Sequence, residues 1–371
     1  MIILLVLSYL RMIYNNDLKF SQLGMGFMRH DVNNFGKTQE LVDYAMTHGV
    51  NYFEACSFYL NRKCESVVGK ALAKYPRDSY YICDKYDIYG YHLPMEKLEN
   101  FFNNQLQTCG VDYFDVYLLQ ALDRKSVNNI QKVYEFFLKK KAEGKIKMLG
   151  FSFHDTEEIL LQYLEGRQWD ICQIQLNYYD WYLGEGKKLY NVLASRNIPI
   201  ITMGPFKGGT LTVRQPMAVQ NHFGMPYLSH LAMHFLQTLP QVKVILTGAE
   251  HFDMLQQNID LIDNYSFTQR DKENCQKIIK IYQQINTIEC GGCRYCEPGC
   301  PKHIPIAQTL QTYNKLLLNP EDKATREQFT ILSKSSVSFF DCIGCRQCDN
   351  RCPQHLPISA YFFNQLFTAR L

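Results

Sequence analysis

The feature that most constrains this chain lies near its C-terminal end, where one spacing of cysteines occurs twice. Cys290, Cys293, Cys296 and Cys300 are followed by Pro301, and Cys342, Cys345, Cys348 and Cys352 by Pro353, so both runs read C-x2-C-x2-C-x3-C-P. Three thiolates so spaced wrap three corners of an iron–sulfur cubane from one tight loop, while the fourth, held before a proline, ligates the other cluster. The runs therefore predict two [4Fe-4S] clusters ligated crosswise. One takes Cys290, Cys293, Cys296 and Cys352; the other takes Cys342, Cys345, Cys348 and Cys300. Zinc is the competing metal, but zinc sites usually pair two C-x2-C units or include histidine. A disulfide framework needs an oxidising compartment, which nothing in the sequence indicates.

At 371 residues the chain exceeds one comfortable core, and one large plus one small domain is expected. Its 46% hydrophobic and 20% charged residues mark it as globular, and the net charge of +3 is dispersed. Lys139, Lys140 and Lys141 sit beside Glu135 and Glu143 in a predicted helix, a solvated face rather than a nucleic-acid patch. Cys56, Cys64, Cys83, Cys109, Cys172 and Cys275, outside the runs, read as small buried hydrophobes. Residues 1–11 are apolar but fall short of the ~20 needed to span a bilayer, and they lack a basic start, a cleavage site and a twin arginine. No membrane span and a cytoplasmic location are expected. Either residues 1–11 add a strand or Met12 is the working start.

Met12-Ile13-Tyr14 and Leu18-Lys19-Phe20 flank Asn15-Asn16-Asp17 and predict a hairpin. Short apolar runs then recur at 23–28, 50–56, 80–86, 115–121, 146–153, 171–177, 199–205 and 243–249. Helical patterns follow at 39–49, 65–75, 94–110, 129–145, 157–167, 188–197, 226–239 and 253–265. Strands this apolar must be covered on both faces, and eight β-α units predict a closed parallel (β/α)8 barrel, an α/β fold. The alternative, a doubly wound sheet, wants G-x-G-x-x-G after its first strand, and the run from Gly24 through Gly26 to Arg29 lacks the last glycine. Helices are expected at 270–289, 305–318 and 357–369, with polar connections at 320–323 and 333–336. The division expected is an apolar segment and hairpin at 1–22, the barrel at 23–267 and a small α-helical, ferredoxin-like cluster module at 268–371.

In such a barrel the reacting groups project from the C-terminal ends of the strands. The second strand offers Glu54, the loop after it Tyr59, and the third strand Lys85. A lysine ammonium held by a carboxylate makes a neighbouring tyrosine a better acid, able to protonate an oxygen as hydride arrives on carbon. The bland alternative is an ordinary Glu54–Lys85 pair with Tyr59 merely nearby.

The sequence resembles the aldo-keto reductases. The resemblance is carried by Asn51-Tyr-Phe-Glu54 with Tyr59, by Lys85, and by Asp112-Tyr-Phe-Asp-Val-Tyr-Leu-Leu-Gln120. It continues through Gly150-Phe-Ser-Phe-His-Asp155, Gln173-Ile-Gln-Leu-Asn177, Pro205-Phe-Lys-Gly-Gly209 and Thr247-Gly-Ala249. The match is to the branch with a C-terminal dicluster ferredoxin-like domain. It implies reduction of a carbonyl with a nicotinamide cofactor, Tyr59 as proton donor and Lys85 as its activator. Glu54 stands where aspartate is usual and Gln120 where histidine is usual. Glutamine cannot relay a proton, though its amide can donate a hydrogen bond. In the family's steroid double-bond reductases a change at that position accompanies alkene reduction, so a conjugated alkene is a second substrate class.

The resemblance further implies Ser152 and Gln173 at the nicotinamide carboxamide, with Gly26, Phe27 and Met28 beneath the ring. Gly204, Pro205, Phe206, Lys207, Gly208, Gly209 and Leu211 would lie around the pyrophosphate, Gly248 in the last loop, and Gln257 and Asn258 by the adenine. No arginine occurs at 250–258, which leaves NADPH and NADH both open. A hydride carries two electrons and a cluster takes one, and no flavin fingerprint is present. The leading expectation is thus an oxidoreductase whose clusters exchange electrons with a ferredoxin-like partner or an unseen cofactor. The alternatives are an electron-transfer or scaffold protein without hydride chemistry, and clusters that only staple the module.

Overall fold

The computed structural model describes residues 12–15, 18–31, 34–87, 93–262, 266–285 and 287–363. The expectations for 1–11, for the turn at 16–17 and for the ends of the helices at 263–265 and 364–369 lie outside these residues. Ten strands are present among the described residues: β1 Met12–Asn15, β2 Leu18–Ser21, β3 Leu23–Gly26, β4 Tyr52–Glu54, β5 Tyr81–Asp87, β6 Phe114–Leu122, β7 Ile146–Phe153, β8 Ile171–Gln175, β9 Ile200–Met203 and β10 Val242–Thr247. The helices around them are α1 Phe35–Thr47, α2 Cys64–Leu72, α3 Leu98–Cys109, α4 Ile130–Ala142, α5 Glu157–Leu164, α6 Tyr178–Leu183, α7 Gly186–Ser195, α8 Met217–His222, α9 Met225–Gln237 and α10 Phe252–Asp260. Then follow α11 Gln269–Gln283, α12 Ile306–Leu318, α13 Lys323–Lys334, α14 Gln347–Arg351 and α15 Ile358–Phe363.

Strands β3 to β10 close into a parallel barrel in sequence order, β10 pairing with both β3 and β9. This is the expected (β/α)8 architecture. The interior is filled by Tyr52, Cys83, Val116, Leu118, Met148, Ile171, Ile201 and Val244, together with Phe20 from β2. The expected hairpin is present as antiparallel β1 and β2. It delivers the Phe20 ring edge-on to Tyr52 and Tyr81, with centroids 5.3 and 5.0 Å apart. Those tyrosines open β4 and β5, so apolar rings seal the N-terminal mouth and the C-terminal mouth is left for chemistry.

Local signals explain the helix ends. Asn34 caps α1 by accepting from Lys37 N at 3.1 Å, and α3 stops at Gly110, whose φ of +67° is the left-handed turn a glycine tolerates. The strand predicted at 171–177 is shorter because Asn177 accepts from Asp180 N at 2.9 Å and starts α6. With six residues, α6 is too short to show a helical period.

Two compact units result. The first holds the barrel with His230–Thr268; the second joins Phe206–Ser229 to the chain from Gln269 onward. Within the second, the Tyr282 hydroxyl donates to Thr210 O at 2.7 Å and to Gln215 Oε1 at 3.0 Å, and Tyr227 donates to Asp271 at 2.6 Å. These bonds hold 206–229 against α11. Helix α13 lies between the two segments expected as polar connections. Asp322 caps it by accepting from Ala324 N, and it buries Phe329 and Leu332.

The cysteine module is an internal repeat in backbone as well as sequence. Gly292 and Gly344, Arg294 and Arg346, and His303 and His355 occupy equivalent places with positive φ. In each copy an acid after the third cysteine reaches the start of the following helix: Glu297 accepts from Ala307 N at 3.1 Å, and Asp349 from Ser359 N at 2.8 Å.

Candidate functional site

Three acid-chemistry residues meet at the strand ends. Glu54 closes β4, Lys85 lies in β5, and Tyr59 opens the turn after β4; all three are buried, with exposures of 2%, 1% and 7%. Lys85 Nζ is 2.8 Å from Glu54 Oε1 and donates to Tyr59 Oη at 3.2 Å. Burial alone would depress Lys85, but the Glu54 carboxylate outweighs this and holds it above its ordinary value. Lys85 is thus an ammonium throughout the physiological range. After Tyr59 the backbone runs through Leu60, Asn61 and Arg62 in the left-handed region, φ +54°, +53° and +67°. Strain of that kind clusters at functional sites.

Gln120, on β6, donates from Nε2 to Tyr59 Oη at 3.4 Å, and its Oε1 accepts from the Cys56 thiol at 2.9 Å. Burial raises the Cys56 thiol well above its ordinary value despite nearby Lys85, so the sulfur keeps its proton and donates. This fixes the amide: oxygen toward sulfur, nitrogen toward Tyr59. With two donors on its oxygen, Tyr59 has its own hydrogen to pass on. Reading Cys56 as a mere hydrophobe therefore missed a role that only the β4–β6 approach creates.

Behind the lysine, Asp84 and Glu65 form a buried hydrogen-bonded acid pair. Gln105 Nε2 bridges it at 2.8 Å to Glu65 Oε1 and 3.2 Å to Asp84 Oδ2. Burial raises both carboxyls, and for Asp84 the charge of Glu65 adds to it. Asp84 Oδ1 accepts from Lys85 N at 2.8 Å, so the pair anchors the backbone that carries the lysine.

The residues expected at a nicotinamide are distributed as follows. Gly26 and Phe27 are buried and Met28 is half-buried. Ser152 and Gln173 are paired across β7 and β8, and Ser152 Oγ accepts from Ala121 N at 2.8 Å. Gln173 Oε1 is buried without a hydrogen-bond partner, and Gln173 Nε2 reaches only Met203 Sδ at 3.7 Å. An amide with both ends so poorly satisfied suits a ligand carboxamide. Gly204 and Pro205 belong to the first unit, whereas Phe206, Lys207, Gly208, Gly209 and Leu211 belong to the second. Gly248 is exposed, and on α10 Asn258 is buried while Gln257 is exposed.

Two further groups had no sequence signal. His30 stacks on Phe27, with centroids 4.5 Å apart, and has Nε2 buried without a partner. Burial and then the Lys37 charge lower it to about 4, so it is a neutral imidazole. Lys37 Nζ lies 2.8 Å from His251 Nδ1 at the start of α10, a contact across most of the barrel sequence.

In the second unit Cys300, Cys342, Cys345 and Cys348 line one pocket, walled also by Ile304 and Phe362. Cys290 and Cys296 form the other group. Burial raises Cys290 to about 11 and raises Cys296 as well, and charge on Cys293 and Cys352 adds to both. Each group thus joins three cysteines of one run to the last cysteine of the other. Among the described residues no three His, Cys, Asp or Glu side chains converge on a single-ion site. Spread thiols around a cavity fit a multi-iron cluster, whose positive charge converts such thiols to thiolates.

Fold and module together define a parallel (β/α)8 barrel with an appended cysteine-rich domain. The sequence matches the aldo/keto reductase family over residues 22–280 and the 4Fe-4S dicluster domain over 289–356. The chain belongs to the aldo/keto reductase family and carries a C-terminal 4Fe-4S dicluster domain. It is 22% identical over 301 residues to the uncharacterized oxidoreductase YqkF of Bacillus subtilis (strain 168), covering 73% of this chain and 96% of YqkF. Aldo-keto reductase AKR11C1 from Bacillus halodurans, holo form, superposes with a TM-score of 0.63 at 20% identity, over 73% of this chain and 96% of that one. An aldo/keto reductase from Klebsiella pneumoniae in complex with NADP and acetate gives 0.60 at 18%, over 73% and 95%. At these identities the structures bear on the fold alone. No helix among the described residues is long and apolar enough to cross a membrane.

Proposed function

We propose that the barrel reduces a carbonyl, with a conjugated alkene as second substrate class, using NADPH or NADH. Tyr59 is the proton donor, Lys85 its activator and Glu54 the counterion that keeps Lys85 charged. The observation that carries this reading is the buried chain from Glu54 through Lys85 to Tyr59, with Gln120 as a second donor on the phenol oxygen. A bound nicotinamide supplies the hydride. Negative charge developing on the substrate oxygen is met by the Tyr59 proton, and the tyrosinate left behind is stabilised by the Lys85 ammonium and the Gln120 amide. Gln120 cannot relay a proton, so its part is confined to orienting Tyr59 and donating to the phenolate oxygen. Ser152 and Gln173 would hold the carboxamide, and Gly26, Phe27 and Met28 the ring. The cysteine quartets would hold two [4Fe-4S] clusters, which supply one-electron chemistry with a ferredoxin-like partner, and the protein would work in the cytoplasm.

The test is anaerobic turnover of a carbonyl panel with each nicotinamide, comparing wild type with Tyr59→Phe. General acid catalysis contributes about 10²–10⁴-fold, and a loss in that range is expected with cofactor affinity unchanged. Full activity in Tyr59→Phe would overturn the assignment.

A further inference from the structure

Lys207, on the loop after β9, lies in the same compact unit as the cysteine module. Its ammonium stands 3.6 Å from Glu289 Oε2, and the lysine side chain is only 10% exposed. Glu289 directly precedes Cys290. The next residue of the loop, Gly208, has φ +63°, and a Cβ there would meet the carbonyl of Gly291 at 3.5 Å, between Cys290 and Cys293. Farther along, Tyr282 ties Thr210 and Gln215 to α11, the helix that leads into the first cysteine run. Arg214, farther along the same segment, lies near enough to Lys315 of α12 for its charge, after burial, to lower Lys315. A single lysine is therefore the counterion of the residue beside the first cysteine and also the charge offered to a nucleotide phosphate.

We propose that Lys207 is shared between Glu289 and the pyrophosphate of the nucleotide. Binding of nucleotide is then coupled to reduction of the cluster held by Cys290, Cys293, Cys296 and Cys352. This rests on the reading of Lys207 to Leu211 as the pyrophosphate loop. Lysine is a compact charge on a flexible stem and can turn from one anion to another. When it turns to the pyrophosphate, Glu289 loses its counterion beside the cluster, and the added negative charge makes reduction harder. In reverse, one electron delivered by an external one-electron donor adds a negative charge to the cysteine loop and holds Lys207 to that side, so the phosphate is bound less tightly. No bond is made or broken and no proton moves. The coupling is reciprocal by linkage.

The experiment uses the full chain with both clusters, kept anaerobic, and 2′-phospho-ADP-ribose, which has the pyrophosphate but no nicotinamide to accept hydride. Its Kd is measured by calorimetry with clusters oxidised and with clusters reduced by dithionite, and cluster midpoints are measured by EPR with and without it. About tenfold weaker binding on reduction is expected, equivalent to a fall of ~59 mV in one of the two one-electron couples. Glu289→Gln should bind the probe more tightly when oxidised and lose most of the redox dependence. Lys207→Gln should bind weakly and equally in both states, and iron content checks that each variant is loaded. Equal Kd in both states with binding intact would overturn the coupling and leave the nucleotide reading standing. An undiminished redox dependence in Glu289→Gln would overturn the role of the pair, and absence of binding in either state would overturn the coupling and the nucleotide reading together.

Discussion

Lys85 shows how far a single residue's state depends on its partners. Buried at 1% exposure, it is charged only because Glu54 stands 2.8 Å away. Removing one member of a buried pair costs about 3–5 kcal/mol, since the other charge is left uncompensated. Glu54→Gln is therefore expected to lower barrel stability by that amount in chemical denaturation and to reduce turnover along with it. Unchanged stability would mean that Lys85 has another counterion. The Lys37–His251 contact carries a second expectation. If this basic pair meets a 2′-phosphate, Lys37→Ala raises KM for NADPH about tenfold and leaves KM for NADH alone. An equal effect on both would remove it from cofactor choice. Glu54 and Lys85 were legible in the sequence because charged residues in apolar strands stand out, and Tyr59 because it follows the first of them in the loop. Cys56, His30 and Lys37 were not, because each takes its role from a neighbour far away in sequence.

At the scale of elements, β5 is held from outside by α2 and α3 through Asp84, Glu65 and Gln105. Both carboxyls are raised, by burial first. The groups facing them are the Gln105 amide, the Cys109 thiol at 3.9 Å from Asp84 Oδ2, and the Lys85 ammonium, whose charge partly lowers Asp84. Between the unfolded carboxyl pKa of about 4 and the raised folded values, the folded state binds more protons than the unfolded one. This site's contribution to stability is thus full at low pH and declines as pH rises. Asp84→Asn keeps an acceptor for Lys85 N and removes that titration, so the stability of the variant relative to wild type should increase from pH 5 to pH 8. Parallel wild-type and variant curves in urea unfolding would exclude a shared proton. The short helices α6 and α8 were illegible because six residues are too few to show a helical period, and α13 because its ends fall inside the two polar segments.

For the whole molecule, the second unit has a small core in which Cys296, Cys348 and Cys352 are themselves buried members beside Phe329, Phe339 and Phe362. Metal binding by such a module is folding free energy. Chelating the iron under reducing conditions should abolish one calorimetric transition while the barrel transition persists, and a single transition lost as a whole would show that the barrel depends on the clusters. The sequence by itself determined the local quantities: the alternation that makes eight strands and their helices, the cysteine spacing, and the residue types at the strand ends. These are legible because strand and helix periods, and the reach of three thiols around one cubane, act over a few residues. Only the tertiary structure decided that Phe206–Ser229 leaves the barrel unit for the other, and that Cys56 orients Gln120. Those outcomes depend on where barrel closure and helix packing bring distant residues together, and no local pattern encodes that distance.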